Sequence, residues 1–249
     1  MRSKRVALVI CLSTMVLPLL SGCSIKSAAL QMPDDFIAGG GSYPVSGHST
    51  RYAGKPVQFG PYSTQRVDGS GLPTRTTFLA GRFGVGRESR DYGFLLTEDN
   101  TQQVETYCRS SIWFSRLILG KLELSVDHET SKPAFSCGFA EIPNVGDSGS
   151  SAGESSMALW FKGADFAGDI QFTAGKTYSI QSLRTLEGIK FSMGQPLGYT
   201  ITEGGKTLAV IDLVNDGRVS FAPALPERER RHFAAVAAAL LMLGGGSPG

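Results

Sequence analysis

Along this chain short apolar runs alternate with turn residues at fairly even spacing, the pattern of an all-β architecture. Leu122-Glu123-Leu124-Ser125-Val126-Asp127 alternates strictly between apolar and polar positions, which predicts a strand with one buried face. Asp91–Leu96, Ala134–Phe139 and Ile170–Phe172 are predicted strands of the same kind, and the Gly/Ser-rich stretch from Asn144 to Ser156 is predicted as a loop. The pattern is clearest from Tyr199 onward. Tyr199-Thr200-Ile201-Thr202 runs through Glu203-Gly204-Gly205-Lys206 into Thr207–Leu213, and Asn215-Asp216-Gly217-Arg218 then leads back into Val219-Ser220-Phe221. Both connections use residues that tolerate positive φ, as tight hairpins require, so three antiparallel strands form a meander.

One segment departs from this period. Pro226-Glu227-Arg228-Glu229-Arg230-Arg231-His232 leads into an unbroken apolar run, Phe233 to Leu243, stopped by Gly244-Gly245-Gly246. Proline at the start, acids in the first turn and glycine at the end punctuate a helix over 227–243. Its apolar part, at about 1.5 Å per residue, spans roughly 16 Å against a bilayer core of about 30 Å, so it does not cross a membrane. It is apolar on every face, which predicts a helix enclosed by protein, and its alanines let a sheet close tightly around it. The rival is a helix lying in a membrane interface, which calls for a polar face that this run lacks. The fold class that follows is mainly β: an antiparallel barrel-like sheet with a C-terminal buried apolar helix.

The N-terminal pattern is of another kind. Met1-Arg2-Ser3-Lys4-Arg5 is basic, Val6 to Leu20 is apolar apart from Ser13, Thr14 and Pro18, and Leu20-Ser21-Gly22-Cys23 follows. An apolar run this short behind a basic start reads as a secretory signal rather than a spanning helix. Leu20-Ser21-Gly22-Cys23 resembles the lipobox of bacterial lipoproteins. The resemblance implies that Cys23 carries diacylglycerol, becomes the first residue of the mature chain and is then N-acylated. Two or three acyl chains, at about 0.8 kcal/mol per buried methylene, make a stable anchor. Ser24, where an Asp would favour inner-membrane retention, implies sorting to the outer membrane, facing the periplasm. The rival is a plain secretory signal with an incidental cysteine. The organisation expected is therefore a signal peptide over 1–22, a flexible Gly-rich tether over 23–54, and a single β-rich domain over 55–249.

Composition refines this only slightly. With 31 glycines and 12 prolines the chain exceeds ordinary usage but stays below disordered or collagenous levels. Loss of Arg2, Lys4 and Arg5 with the signal peptide leaves 21 basic against 22 acidic residues, a net charge of −1 instead of +2. No concentrated basic face remains, which argues against nucleic acid as a partner. Of four cysteines, Cys11 leaves with the signal and Cys23 takes lipid, so Cys108 and Cys137 are expected to pair in an oxidising envelope, the alternative being two buried thiols. Neither cysteine nor any of the three histidines stands at ligand spacing, so no metal or other cofactor is expected.

A strand-rich chain ending in a fully apolar helix resembles the Tubby-like and LURP-one-related barrels. The stretches that carry the resemblance are Gly198-Tyr199-Thr200-Ile201, Ala209-Val210-Ile211-Asp212, Asn215-Asp216-Gly217-Arg218 and Phe233 to Leu243, about 50 residues. It implies a closed antiparallel barrel threaded by the C-terminal helix. Tubby proteins bind phosphoinositide headgroups through a basic pocket that has no identified counterpart here, so the resemblance carries fold and not function.

Catalytic motifs are fragmentary. Gly146-Asp147-Ser148-Gly149-Ser150 resembles the nucleophile segment of chymotrypsin-like proteases, but that chemistry needs a histidine base and an orienting acid. His48, in Ser46-Gly47-His48-Ser49-Thr50, has the wrong context. Gly149-Ser150-Ser151-Ala152-Gly153 fits the nucleophile-elbow pattern without the strand and helix that make an elbow work. Gly81-Arg82-Phe83-Gly84-Val85-Gly86 lacks the ending of a phosphate loop and reads as a bulged or tightly bent strand. Arg228, Arg230, Arg231 and His232 could meet anionic headgroups, the commoner reading being a solvated first helical turn. Trp113-Phe114 and Trp160-Phe161 could line a pocket, although core packing is commoner. The reading that results is a membrane-anchored, non-enzymatic envelope lipoprotein that scaffolds an envelope protein partner or holds a lipid-like ligand. The alternative is a serine hydrolase using Ser148 or Ser151.

Overall fold

Alternating side chains demand that one face of every strand be covered, and here the sheet covers itself by closing. The computed structural model describes residues 28–36, 39, 41–47, 56–68, 74–80, 83–99, 102–119, 122–128, 132–142, 153–162, 165–172, 175–189, 191–223 and 225–243. Among these, the first strands are β1 (Ser42–Ser46), β2 (Gln58–Phe59), β3 (Tyr62–Asp68), β4 (Thr74–Ala80) and β5 (Phe83–Glu98). Then come β6 (Gln102–Leu119), β7 (Leu122–His128), β8 (Phe135–Ile142), β9 (Glu154–Lys162) and β10 (Asp165–Phe172). The last are β11 (Thr177–Leu183), β12 (Gly198–Glu203), β13 (Lys206–Asp212) and β14 (Arg218–Phe221), followed by the helix α1 (Glu227–Leu243).

Twelve strands form a closed antiparallel barrel in the order β5-β3-β2-β1-β14-β13-β12-β11-β10-β9-β8-β6, sealed by β6 pairing back onto β5. The two others lie outside the ring. β4 pairs with Phe83–Ser89 of β5, and β7 pairs with Trp113–Leu119 of β6. β5 and β6, at 16 and 18 residues, therefore outrun their neighbours and carry a four-stranded blade, β4-β5-β6-β7, beyond the barrel rim.

Antiparallel order gives the barrel two distinct ends. The β2–β3, β5–β6 and β12–β13 turns and the start of α1 lie at one end. The β13–β14 turn and the blade lie at the other. The β12–β13 connection places Gly204 and Gly205 at φ of 57° and 84°, the left-handed pair that a two-residue hairpin needs.

α1 runs through the lumen. Every residue from Phe233 to Leu241 is fully buried, on all sides of the helix. Five of those nine are alanines, whose small side chains let the wall approach the helix from every direction. Wall aromatics fill the remaining space: Tyr178 meets Phe233 edge-on with ring centroids 4.9 Å apart, and the Tyr92 hydroxyl donates to the Ala239 carbonyl at 2.7 Å. Cys108 and Cys137 face each other across β6 and β8 and form a disulfide, with Cα atoms 4.1 Å apart.

Several sequence expectations need correction. The stretch 23–54 is not a tether throughout, because β1 closes the ring between β14 and β2, so the domain begins before residue 55. Residues 28–36 also lie on the barrel. Asn215 Nδ2 donates to the Ala28 carbonyl at 2.8 Å, Leu30 bridges to Leu186, and the Asp35 carboxylate accepts from the Thr207 backbone N–H at 2.8 Å. That N–H holds the Asp35 carboxyl below the usual carboxylate range. The loop expected up to Ser156 ends earlier, since β9 starts at Glu154. The glycine run before Arg87 is neither bulged nor broken: Phe83–Gly86 keep unbroken register with both β4 and β6. Gly86 is needed there for another reason, since a Cβ on it would lie 2.4 Å from the Phe114 ring.

Two outcomes test this architecture. Ala237→Arg forces an unpaired charge into the filled lumen and should abolish the cooperative thermal transition seen by circular dichroism; an unchanged melting temperature would place α1 outside the barrel. Replacing Cys108 and Cys137 by alanine opens a loop of sequence separation 29 and should lower stability by about 3–4 kcal/mol in urea titrations, on the chain-entropy account.

Candidate functional site

Where α1 enters the lumen its polar first turns must pass a ring of strand ends, and the side chains there form a cluster of ion pairs and hydrogen bonds. Arg231 is the centre: its Nε lies 2.8 Å from Glu98 of β5, Nη1 3.5 Å from Glu141 of β8, and Nη2 3.4 Å from Glu227 one turn back. Arg228 reaches Glu141 at 3.1 Å, and Lys176 after β10 pairs with Glu229. Two wall acids from opposite sides of the β5–β6 seam thus grip the basic face of the helix.

His232 is drawn inside this collar. Its Nδ1 lies 2.8 Å from Ser155 Oγ of β9, its Nε2 lies 3.2 Å from Glu141 Oε1, and the Phe172 ring covers it at a centroid distance of 4.9 Å. A proton on Nε2 suits both neighbours, leaving Nδ1 to accept from the serine hydroxyl. Burial holds the His232 imidazole below its ordinary value. The Glu141 charge opposes that shift, and the Arg228 and Arg231 charges reinforce it.

Serine, histidine and glutamate in this sequence of contacts have the composition of a hydrolytic triad. Two features set the arrangement apart from a working one. Glu141 Oε1 is within ion-pair range of the ring but off the N–H axis, so it makes no hydrogen bond that would orient the base. Ser155 is only 7% exposed and His232 only 4%, so the hydroxyl is held against the helix inside the wall. What the geometry does well is lock the helix: Arg228, Arg231 and His232 find partners in Glu98, Glu141 and Ser155 on the strands.

The residues singled out in the sequence fall unevenly. Cys23, His48, Ser148 and Ser151 lie outside the described residues. The basic cluster is a solvated turn only in part: the Arg228 side chain stays 62% exposed, whereas Arg231 and His232 are enclosed and paired with wall acids. Trp113 and Phe114 separate, the first exposed and the second buried. Ser155 and Glu141 carried no motif; only closure of the barrel brings them to a histidine 77 or more positions away. Among the described residues no group of three or more His, Cys, Asp or Glu is placed to hold a metal ion.

Comparison with protein-family models, with curated proteins and with solved structures finds no match to this chain. Its functional reading rests on its own residues.

The collar predicts a pH response. A native value below the ordinary 6.5 means that the unfolded chain binds the His232 proton first as pH falls. Stability is therefore full above the unfolded value of 6.5, declines as pH falls from there toward the lower native value, and levels off once native His232 is protonated. Thermal melts of wild type and His232→Asn across this range should diverge, with the variant lacking the decline; parallel curves would remove His232 as its source.

Proposed function

We propose that the protein is an envelope lipoprotein, held at a membrane through Cys23, whose β domain acts as a non-enzymatic scaffold for other envelope components. The observation that carries the scaffold role is the filled lumen. A helix occupies the space in which a barrel of this size would otherwise hold a ligand, so recognition falls to the outer surface. This weighs against a lipid-like ligand carried inside the wall and in favour of contacts made outside it. The anchor rests on the basic start, the apolar run and Leu20-Ser21-Gly22-Cys23. The disulfide between Cys108 and Cys137 suits the oxidising side of a membrane.

One observation favours a second reading, a serine hydrolase. The 2.8 Å contact between Ser155 and His232 supplies the serine–base pair that Ser148 and Ser151 lack in sequence context. Access and orientation count against it, as described above.

Two measurements divide these readings. Metabolic palmitate labelling should mark wild type and not Cys23→Ala; equal labelling of both, or of neither, removes the anchor. A fluorophosphonate probe should leave the pure protein unmodified, and a covalent adduct on Ser148, Ser151 or Ser155 would replace the scaffold by the hydrolase.

A further inference from the structure

The blade breaks the rule that apolar side chains of a β protein turn inward. On its outer face Phe78 is 75% exposed, Phe83 50% and Trp113 41%, with Val85 and Leu117 exposed beside them. They are neighbours by register: Phe78 stands opposite Val85, Phe83 opposite Leu117, and Phe83 and Val85 share a face of β5. The face is graded along its length. Nearest the tip stand Phe83, Leu117, Val85 and Phe78, with Ser115 opposite Val85. Nearer the barrel, Arg87 lies over the Trp113 ring at 5.8 Å, and below them Arg109 pairs with Asp91 at 3.0 Å. Among the described residues of this face, large apolar side chains nearest the tip, then tryptophan with arginine, then an ion pair follow the order of polarity met on leaving a bilayer core through its headgroups.

The other fact is where the chain from Cys23 arrives. Ala28 is fastened to Asn215 in the β13–β14 turn, at the same end of the barrel as the blade. Four residues lie between it and Cys23, a reach of about 17 Å over five extended steps. The seven blade residues Phe83–Ser89 extend roughly 24 Å along the strand beyond the rim at about 3.4 Å each, a height of about 17–20 Å at the usual tilt of barrel strands. A membrane within reach of acyl chains on Cys23 is thus at the height of the blade tip.

We infer that the outer face of the blade enters the same lipid bilayer that holds the anchor, giving the barrel a second, non-covalent membrane contact and a fixed orientation. The inference rests on the lipid anchor proposed above. The tip sits among acyl chains, Trp113 and Arg87 lie at headgroup depth, and the end of the barrel where the helix enters points away from the membrane. The exposed scaffold surface is then that polar end and the wall.

The test uses the full-length protein purified from membranes and reconstituted into vesicles of phosphatidylethanolamine and phosphatidylglycerol doped with dibrominated phosphatidylcholine. In a Trp113→Phe, Trp160→Phe background, Phe83→Trp reports the tip. Its emission should shift to the blue and be quenched by the brominated lipid, while the melting temperature matches that of wild type. In parallel, Val85→Cys should be shielded from a membrane-impermeant maleimide when vesicles are present and label freely in a vesicle-free detergent solution. An unquenched tip with a freely labelled residue 85 overturns the inference, and the same result with sedimentation as a dimer gives the face to a second copy. Palmitate labelling separates the two ideas. A labelled protein with an unquenched tip keeps the anchor and loses the blade contact, whereas a quenched tip without label keeps the blade contact and loses the anchor.

Discussion

A ring of twelve strands encloses more space than its own inward side chains can fill; about eight strands is the size at which they suffice. An unfilled lumen would leave wall residues such as Leu159, Ile180 and Phe221 without contacts on one side, and a wet one would expose them to water. The helix resolves this, and its composition follows from the task. Larger side chains at Ala234, Ala235, Ala237, Ala238 and Ala239 would push the wall apart, and polar ones would be buried without partners. Where the wall leaves room, aromatics from β5 and β11 reach inward and the helix supplies Phe233, Leu240 and Leu241. The ring and its filling are therefore one folding unit: the strands have no core without the helix, and the helix has no solvent-compatible face without the strands.

The cost of threading a helix through a closed wall falls at its first turn, where unpaired backbone N–H groups and charged side chains meet the lumen. The collar answers both. Glu227 and Glu229 in the first turn complement the positive end of the helix dipole, as do Glu98 and Glu141 from the wall. Arg231 joins both wall acids to the helix and so ties β5 to β8 across the seam where the ring closes. Truncating one member of such a cluster leaves the others buried and unpaired, so its value lies in fixing the depth and rotation of the helix more than in net stability. Ser155 and His232 belong to that device, which explains why a triad-like composition occurs without a base oriented by its acid.

What could be read from the sequence follows from how local each signal is. The meander from β12 to β14 and the helix over 227–243 were legible because their turns, caps and periods lie within a few residues. The Cys108–Cys137 bond was expected from a count of cysteines under the expectation of an oxidising envelope. β1 and the strap before it were not legible: a five-residue strand between glycines shows almost no period, and it is a strand only because β14 and β2 lie on either side. The blade was hidden for a related reason. Gly84 and Gly86 break the apolar alternation of β5 and suggest a bend, whereas their absent side chains make room for the Phe114 ring and a close β4 backbone. The contact between Ser155 and His232 depends wholly on ring closure, and no local pattern encodes it.

The blade is where agreement between local sequence and solvent fails most plainly, and such failures mark function more often than poor folding. A sheet with an apolar face and two open edges, β4 and β7, is a template for association, and natural β proteins blunt such edges or cover them. Covering by a copy of the same blade would bury the aromatic tip but would also press Arg87 and the Arg109–Asp91 pair into the contact. Covering by a bilayer places Phe78, Phe83 and Leu117 among acyl chains and leaves Arg87 and the Arg109–Asp91 pair toward the headgroups and water. The alignment of this apolar tip with the attachment point of the N-terminal chain is what favours a bilayer over a protein as its cover.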